Sequence, residues 1–370
     1  MSTSSHRPAF GPSAAPSHRA NAGLRAATPV AFVHAIVHAY ALRGLDAAQA
    51  LAYADISPDV LATPGGRITA LQMERMSDAA MRELDDEALG WFSRPLPWGS
   101  YGMLARASIT APHLGLAMAR WCRHHGLLTQ DVRLALEVHG DVAQLALHEG
   151  RDLGVLREFC HVSLLRNALG VACWLVDSRI PLLGAQFAIE RPPHAEAYEV
   201  LFSTSARFCA GATTLSFDAR YLSLPLRRDE AALQTMLRHA LPLQVLQYRH
   251  DRLLLARVRQ ILRSEPQAIH NADDLAARLN LSPRTLHRQL KEEGASLQAL
   301  KDTVRRELAT DLLLRSQRPI KQVALASGFH NEKSFIRAFR GWTGMTPGQW
   351  RGQSGSDNLV ERHPPLPSVG

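Results

Sequence analysis

The sequence predicts an α+β N-terminal domain followed by an all-α C-terminal domain in which one helix-turn-helix unit occurs twice, joined by a long helix. Three observations predict it. Up to Pro225, helical and alternating apolar periodicities are interleaved, whereas from Asp251 onward nearly every apolar spacing is helical. Pro, Ser, Asn and Gly punctuate that last stretch where helices should start and stop. And a segment around Leu275 recurs around Val323.

The N-terminal elements follow in order. Val30, Val33, Ile36, Val37 and Tyr40 give a helical stripe over 29–42. Asp46 is placed to cap a second helix running to Ile56, and Ser57-Pro58 reads as the cap and first residue of a short turn. Pro64-Gly65-Gly66 is punctuation before a helix over 69–84. Leu114 to His125 is helical, with Gly126 as its stop. Val132–Val138 and Val142–Leu147 alternate across His139-Gly140-Asp141, the signature of a hairpin. Leu156–Val176 is again helical, Leu183–Ile189 strand-like and Ala195–Phe202 helical. The domain is expected to close at Leu224-Pro225, with 226–250 as a helical connector.

From Asp251 onward the spacing predicts helices at Leu253–Ser264, Asn271–Leu279, Pro283–Glu292, Leu297–Arg315, Ile320–Ser327 and Glu332–Thr343, then a short turn at Pro347–Arg351. Ser282-Pro283 supplies a cap and a proline at the first helical position, where its missing N–H costs nothing. Gly294 ends that helix, Ser296 precedes the long one and Pro319 opens the next.

Within this stretch Leu275-Ala276 matches Val323-Ala324, and Leu286-x-Arg288-x-Leu290 matches Phe335-x-Arg337-x-Phe339. The offset is 48 residues before the turn and 49 after it, so the second turn holds one extra residue. Ala276 and Ala324 are small enough for two helices to cross closely, and Asn280 and Gly328 suit a tight turn. The second helix of each unit then anchors on apolar residues and presents polar ones. Arg284, Thr285, His287 and Arg288 are the candidates in the first unit, and Glu332, Lys333, Ser334 and Arg337 in the second. Such side chains contact base edges and phosphates of double-stranded DNA. Two such helices fixed on one rod reach successive major grooves, roughly 34 Å apart on one face of the duplex.

Charge agrees with an anionic partner. The chain carries a formal +8, and residues 251–352 hold 18 Lys+Arg against 10 Asp+Glu, leaving 24 of each sign elsewhere. Four cysteines without CxxC pairing read as reduced, and no unbroken apolar run reaches the roughly 18 residues of a membrane span. The expected location is therefore cytoplasmic, with no membrane partner. Residues 1–28 and 353–370 read as disordered tails.

Residues 272–351 resemble the DNA-binding domain of the AraC/XylS family. Gly328-Phe329, Ser334-Phe335, Arg337-Ala338-Phe339-Arg340 and Gly344-Met345-Thr346-Pro347 carry the likeness. His330 departs from the acidic or small polar residues common there, which bears on sequence preference. Residues 29–225 are similar to the arabinose-binding-type N-terminal domain of the same family, through Gly44-Leu45-Asp46, Ile56-Ser57-Pro58, Gly66-Arg67-Ile68, Thr110-Ala111-Pro112-His113-Leu114 and Pro193-His194. The resemblance implies an α+β effector and dimerisation domain at 29–225, followed by an all-α DNA-binding domain with two helix-turn-helix units at 251–352. It implies a transcription regulator, with double-stranded DNA as partner. RNA polymerase, a small-molecule effector of unknown identity and a second copy of the chain are further expected partners.

Other chemistry is weighed and set aside. Cys122, His124 and His125, or Cys160-His161, match no zinc spacing, so no metal and no cofactor is expected. No nucleophile elbow or defensible carboxylate pair marks a catalytic site, and the chain reads as a non-enzyme. A DNA-repair enzyme on this kind of domain needs a cysteine cluster and a Pro-Cys motif, both missing. A DNA-targeted enzyme and an architectural DNA binder are the alternatives in other classes. Trp91, Phe92, Trp98 and Tyr101 read as loop packing in preference to pocket lining.

Overall fold

The computed structural model describes residues 26–237, 251–269 and 271–352. The chain divides into two compact units, Met1–Arg249 and His250–Gly370. Both expected tails beyond these limits, and the connector beyond Leu237, lie outside the described residues.

The N-terminal unit opens with β1 (Ala26–Pro29) paired antiparallel to β2 (Arg67–Thr69), so residues 26–28 are strand and not part of the expected disordered tail, because their backbone finds its hydrogen-bond partners in a segment 40 residues on. Between them run α1 (Val30–Ala41), α2 (Ala48–Tyr53) and α3 (Pro58–Ala62). The predicted stripe of α1 is the buried one: Val33, Ile36 and Tyr40 are at most 1% exposed. Asp46 accepts from the Ala48 N–H at 2.9 Å. The helix it opens ends at Tyr53 and not at Ile56, because Asp55 takes a left-handed φ of 56°. Thr69 and Gln72 form a reciprocal capping box at the start of α4 (Ala70–Glu83). Then come α5 (Ser100–Ile109) and α6 (Leu114–Leu128). Helix α6 runs through Gly126 where a stop was expected. The anchoring of Trp121, Cys122 and His125 in the core outweighs the roughly 1 kcal/mol that a glycine costs a helix.

The hairpin forms as read, from β3 (Val132–His139) and β4 (Val142–Glu149), with Gly140 at φ 59° in its turn. It belongs to a five-stranded sheet of order β3-β4-β7-β5-β6, completed by β5 (Leu182–Gln186), β6 (Ala206–Arg207) and β7 (Thr213–Asp218). All pairings are antiparallel except β5 with β6. Strand β5 stops at Gln186, short of Ile189, where the chain leaves the ladder to pair irregularly with 207–210. Helix α7 (Arg157–Val176) packs against β4 and α6, and α8 (Ala197–Phe202) lies near β1 and β6. The segment Gly154–Val176 is long and apolar enough to cross a membrane, yet 78% of its apolar window is buried inside this unit. Its apolarity is that of a helix covered on most sides. A last helix, α9 (Glu230–Leu237), packs on α5, so the first part of 226–250 belongs structurally to this unit. Leu233 and Met236 are the buried residues of α9.

The C-terminal unit is helical throughout: α10 (Leu254–Ser264), α11 (Ala272–Arg278), α12 (Pro283–Glu292), α13 (Leu297–Arg315), α14 (Ile320–Ala326) and α15 (Glu332–Thr343), then a turn of helix over 347–352. Two apolar cores organise it. Leu275, Leu286 and Leu290 close on α10 and on Leu297, Leu300 and Val304 of α13. Val323, Ala324, Phe335 and Phe339 close on Ala309 and Leu313 of the same helix. At about 1.5–3 kcal/mol per buried large side chain, each core carries its own helix pair. Helix α13 is shared between them.

Candidate nucleic-acid interface

Each repeat unit packs a short helix against a longer one across a tight turn. Ala276 and Ala324 are 1% exposed at the crossings. Asn280 adopts φ 52° and Gly328 φ 82°, the left-handed turn residues the spacing requires. The second helices begin at matched caps, 49 residues apart in sequence. The Ser282 hydroxyl accepts from the Thr285 N–H at 3.1 Å, and the Asn331 side-chain Oδ1 accepts from the Ser334 N–H at 2.8 Å. Asn331 is a cap that the sequence candidates do not include.

The inward faces repeat as well. Leu286, Leu290, Phe335 and Phe339 are all at most 1% exposed. Among the expected contact residues, Arg284, His287, Arg288, Lys333 and Arg337 are exposed, while Thr285, Glu332 and Ser334 are half-buried in the first turns. The Thr285 hydroxyl shares a 2.8 Å hydrogen bond with Ser282.

The structure adds Lys291 and Arg340, both exposed. Arg284, Arg288 and Lys291 fall at i, i+4 and i+7 of α12, one above another on a single face. Lys333, Arg337 and Arg340 fall at the same steps of α15, each 49 residues after its counterpart. Both the helical step and the repeat offset were available in the sequence as a signal for the two missed cations. Arg288 makes a 3.6 Å contact with Glu292, both about half-exposed, a pair of little energetic weight. Among the described residues the other five cations have no carboxylate within 4.0 Å. The two cationic stripes run from the first turn of each helix to its last, and such an array of largely unpaired cations favours an anionic partner.

The two units are held to each other by more than α13. The loop after α10 meets the second turn: Gln267 Nε2 donates to the Leu325 carbonyl at 2.9 Å. The Arg305 guanidinium, on α13, donates to the Gly328 carbonyl at 2.9 Å and lies 5.0 Å from the centre of the Phe329 ring. These contacts fix one second helix relative to the other.

Comparison with known proteins agrees with this geometry. Residues 44–226 match the arabinose-binding domain of AraC transcription regulators, N-terminal, and residues 275–353 match a helix-turn-helix domain. The chain belongs to the AraC/XylS family of transcription regulators. The ornithine utilization regulator of Pseudomonas aeruginosa is 29% identical over 324 residues, 87% of this chain and 96% of that one. The urease operon transcriptional activator of Escherichia coli is 31% identical over 116 residues, 31% of this chain and 39% of its own. Among solved structures, the regulator CdpR from Pseudomonas aeruginosa is 20% identical, covering 83% of this chain and 96% of its own, at TM-score 0.32. The AdpA DNA-binding domain, solved with target DNA, is 29% identical, covering 28% of this chain and 96% of its own, at TM-score 0.26.

As an AraC/XylS-family member, the chain is a sequence-specific DNA-binding transcription regulator whose α12 and α15 are the second helices of its two units. The remaining sequence candidates lie elsewhere in this regulator. Burial pushes the Cys122 thiol up to about 12 and the His125 imidazole down to about 4. His125 sits between the rings of Phe92 and Tyr101, at 6.0 and 6.1 Å. His161 is 3.0 Å from Glu149 and 3.0 Å from the Thr213 hydroxyl, on a different part of the core. The aromatic group divides: Trp91 and Phe92 pack inward, whereas Trp98 and Tyr101 line a cavity.

Proposed function

We propose that this regulator reads an operator through α12 and α15 in successive major grooves, and that a small molecule bound by its N-terminal unit adjusts that binding. The observation that carries the reading is the repeated stripe, Arg284-Arg288-Lys291 and Lys333-Arg337-Arg340, on two helices fixed to one shared helix. In this reading Arg284, Thr285, Lys333 and Ser334 stand at the helix starts and contact bases. His287 and Glu332 flank them, and Arg288 and Arg337, a turn later, clamp phosphates. Names of relatives support a metabolic operon as the target, since one is called for ornithine utilisation and another for a urease operon. Dimerisation through residues 29–225 would double the operator into two half-sites, and recruitment or exclusion of RNA polymerase would follow.

The test is selection of bound fragments from a promoter library by the full chain, followed by titration of the winners. The proposal expects a specific affinity about a thousandfold or more above non-specific DNA. A ratio near one would convert the protein to an architectural binder, and turnover of the DNA would make it an enzyme.

A further inference from the structure

The N-terminal unit has a cavity of about 480 Å³, open to the surface on one side, between α4, α5, α6, α7 and α9. That volume suits a small organic molecule. Three buried polar groups line it without finding full satisfaction in the protein, one of them the Tyr101 hydroxyl, which has no hydrogen-bond partner among the described residues. Glu87 is 8% exposed, and its two carboxylate oxygens accept the N–H groups of Gly99 and Tyr101 at 2.7 Å each. Among the described residues it has no ion-pair partner. Its neighbour Asp86 does have one, in Arg43 at 2.5 Å. Asn167, 9% exposed on α7, lines the same space, and its side-chain amide has no hydrogen-bond partner among the described residues. The walls between them are aromatic: Tyr101 and Trp121 stack at 6.2 Å, and Trp98 stands at the rim.

A buried carboxylate without a counter-cation is costly, and burial raises the Glu87 pKa. The other charges on the lining are already matched or lie at the surface. Arg82 holds Asp78 at 2.9 Å and covers Trp98 at 4.1 Å, and Arg106 holds Glu230 of α9 at 3.1 Å. What the interior lacks is a cation that fits among π faces.

We propose that this cavity is a binding site for a small primary amine, its ammonium held by Glu87 and Asn167 against the Tyr101 and Trp121 rings. Helix α9 supplies Met236 and Leu237 to the same wall, and a Cβ on Gly102 would meet Leu237 at 3.3 Å. A molecule in the cavity therefore bears on the helix whose C-terminal end leads into residues 238–250 and on to the DNA-binding unit. This inference names the ligand class for the effector reading above and rests on it, but its binding arm uses no DNA.

The test is isothermal titration and tryptophan fluorescence of the full chain against straight-chain primary amines of two to six carbons. The matching alcohols and carboxylic acids serve as controls. At least one amine should bind, with its alcohol and acid weaker by tenfold or more on the order expected for a lost charged hydrogen bond. Glu87→Gln should weaken that amine about 30-fold, since it removes the charge facing the ammonium. Asn167→Leu leaves the Glu87 loop intact and should weaken the same amine severalfold, which covers the case in which Glu87→Gln does not fold. Alcohols or acids binding as well as amines, no amine binding at all, or wild-type amine affinity in both variants overturns the proposal. Amine binding that leaves operator affinity unchanged would overturn the effector reading while leaving the site intact.

Discussion

A Cβ placed on Gly328 would lie 2.6 Å from the carbonyl oxygen of Pro266 and 3.3 Å from the Pro266 Cβ. The second turn thus touches the loop of the first unit through a residue that has no room for a side chain and holds φ 82°. Two independent requirements for glycine coincide here. Gly328→Ala should cost about 2 kcal/mol or more in urea unfolding, from left-handed strain and displacement of the Pro266 backbone together. Gly341→Ala is the control: that residue sits inside α15 with nothing within 4 Å, and alanine there should stabilise by up to about 1 kcal/mol. Equal effects of the two would mean that the inter-unit contact at Pro266 is not made.

The caps of the two second helices make a separate prediction. Asn331→Ala removes the acceptor for the Ser334 N–H, and Ser282→Ala the one for the Thr285 N–H. Each should lower stability by about 1 kcal/mol, and Asn331→Asp should restore most of the loss. Operator affinity should fall along with stability, because the capped turns hold the residues proposed to contact bases. Alanine variants as stable as wild type would show that these helix starts do not depend on their caps.

The N-terminal unit should lose stability in acid. His125 is buried with a pKa near 4, below the roughly 6.5 of an exposed imidazole. Between these values the unfolded chain takes up a proton that the folded chain refuses, so stability falls as pH drops from about 6.5 to 4 and levels off below. His125 alone accounts for about 3 kcal/mol across that window. His161, also held near 4 by burial, adds to it. His125→Phe, which keeps a ring between Phe92 and Tyr101, should flatten the pH dependence measured by urea unfolding. An unchanged slope would mean that His125 is protonated in the fold.

Much of the C-terminal unit was legible because its punctuation is local. Ser282-Pro283, Gly294, Ser296 and Pro319 mark boundaries through their own backbone preferences: α12 begins and ends, and α13 and α14 begin, where those residues indicate. The duplication exposed the inward pairs Leu286/Phe335 and Leu290/Phe339. Lys291 and Arg340 stand in the last turn of each helix, away from the caps, and only the helical step and the 49-residue repeat mark them. The N-terminal unit was less legible where order depends on distant partners. Strand β7 forms the centre of its sheet, yet Thr213, Ser216 and Asp218 dilute its apolar alternation, and only β4 and β5 on either side make it a strand. Helix α5 mixes Ser108 with Leu104, Ala105 and Ile109 on its buried face and starts from Gly99 at φ 101°, so its own sequence offers no cap, and Glu87, outside the helix, accepts from its first N–H groups instead. Cavities are less legible still: Glu87 and Asn167 are 80 residues apart, and nothing local brings them to one space.

The central claim is that α12 and α15 both lie in grooves, with early residues on bases and later ones on phosphates. Salt-dependent titrations of a selected operator and of random DNA by Arg284→Ala, Lys333→Ala, Arg288→Ala and Arg337→Ala test it most directly. Arg284→Ala and Lys333→Ala should each cost about 1–3 kcal/mol on the operator and relax preference at one base pair. Arg288→Ala and Arg337→Ala should weaken binding to all sequences alike, each lowering the salt slope by about one. Unchanged affinity and specificity in all four would contradict the account, because neither helix would then be in contact with DNA.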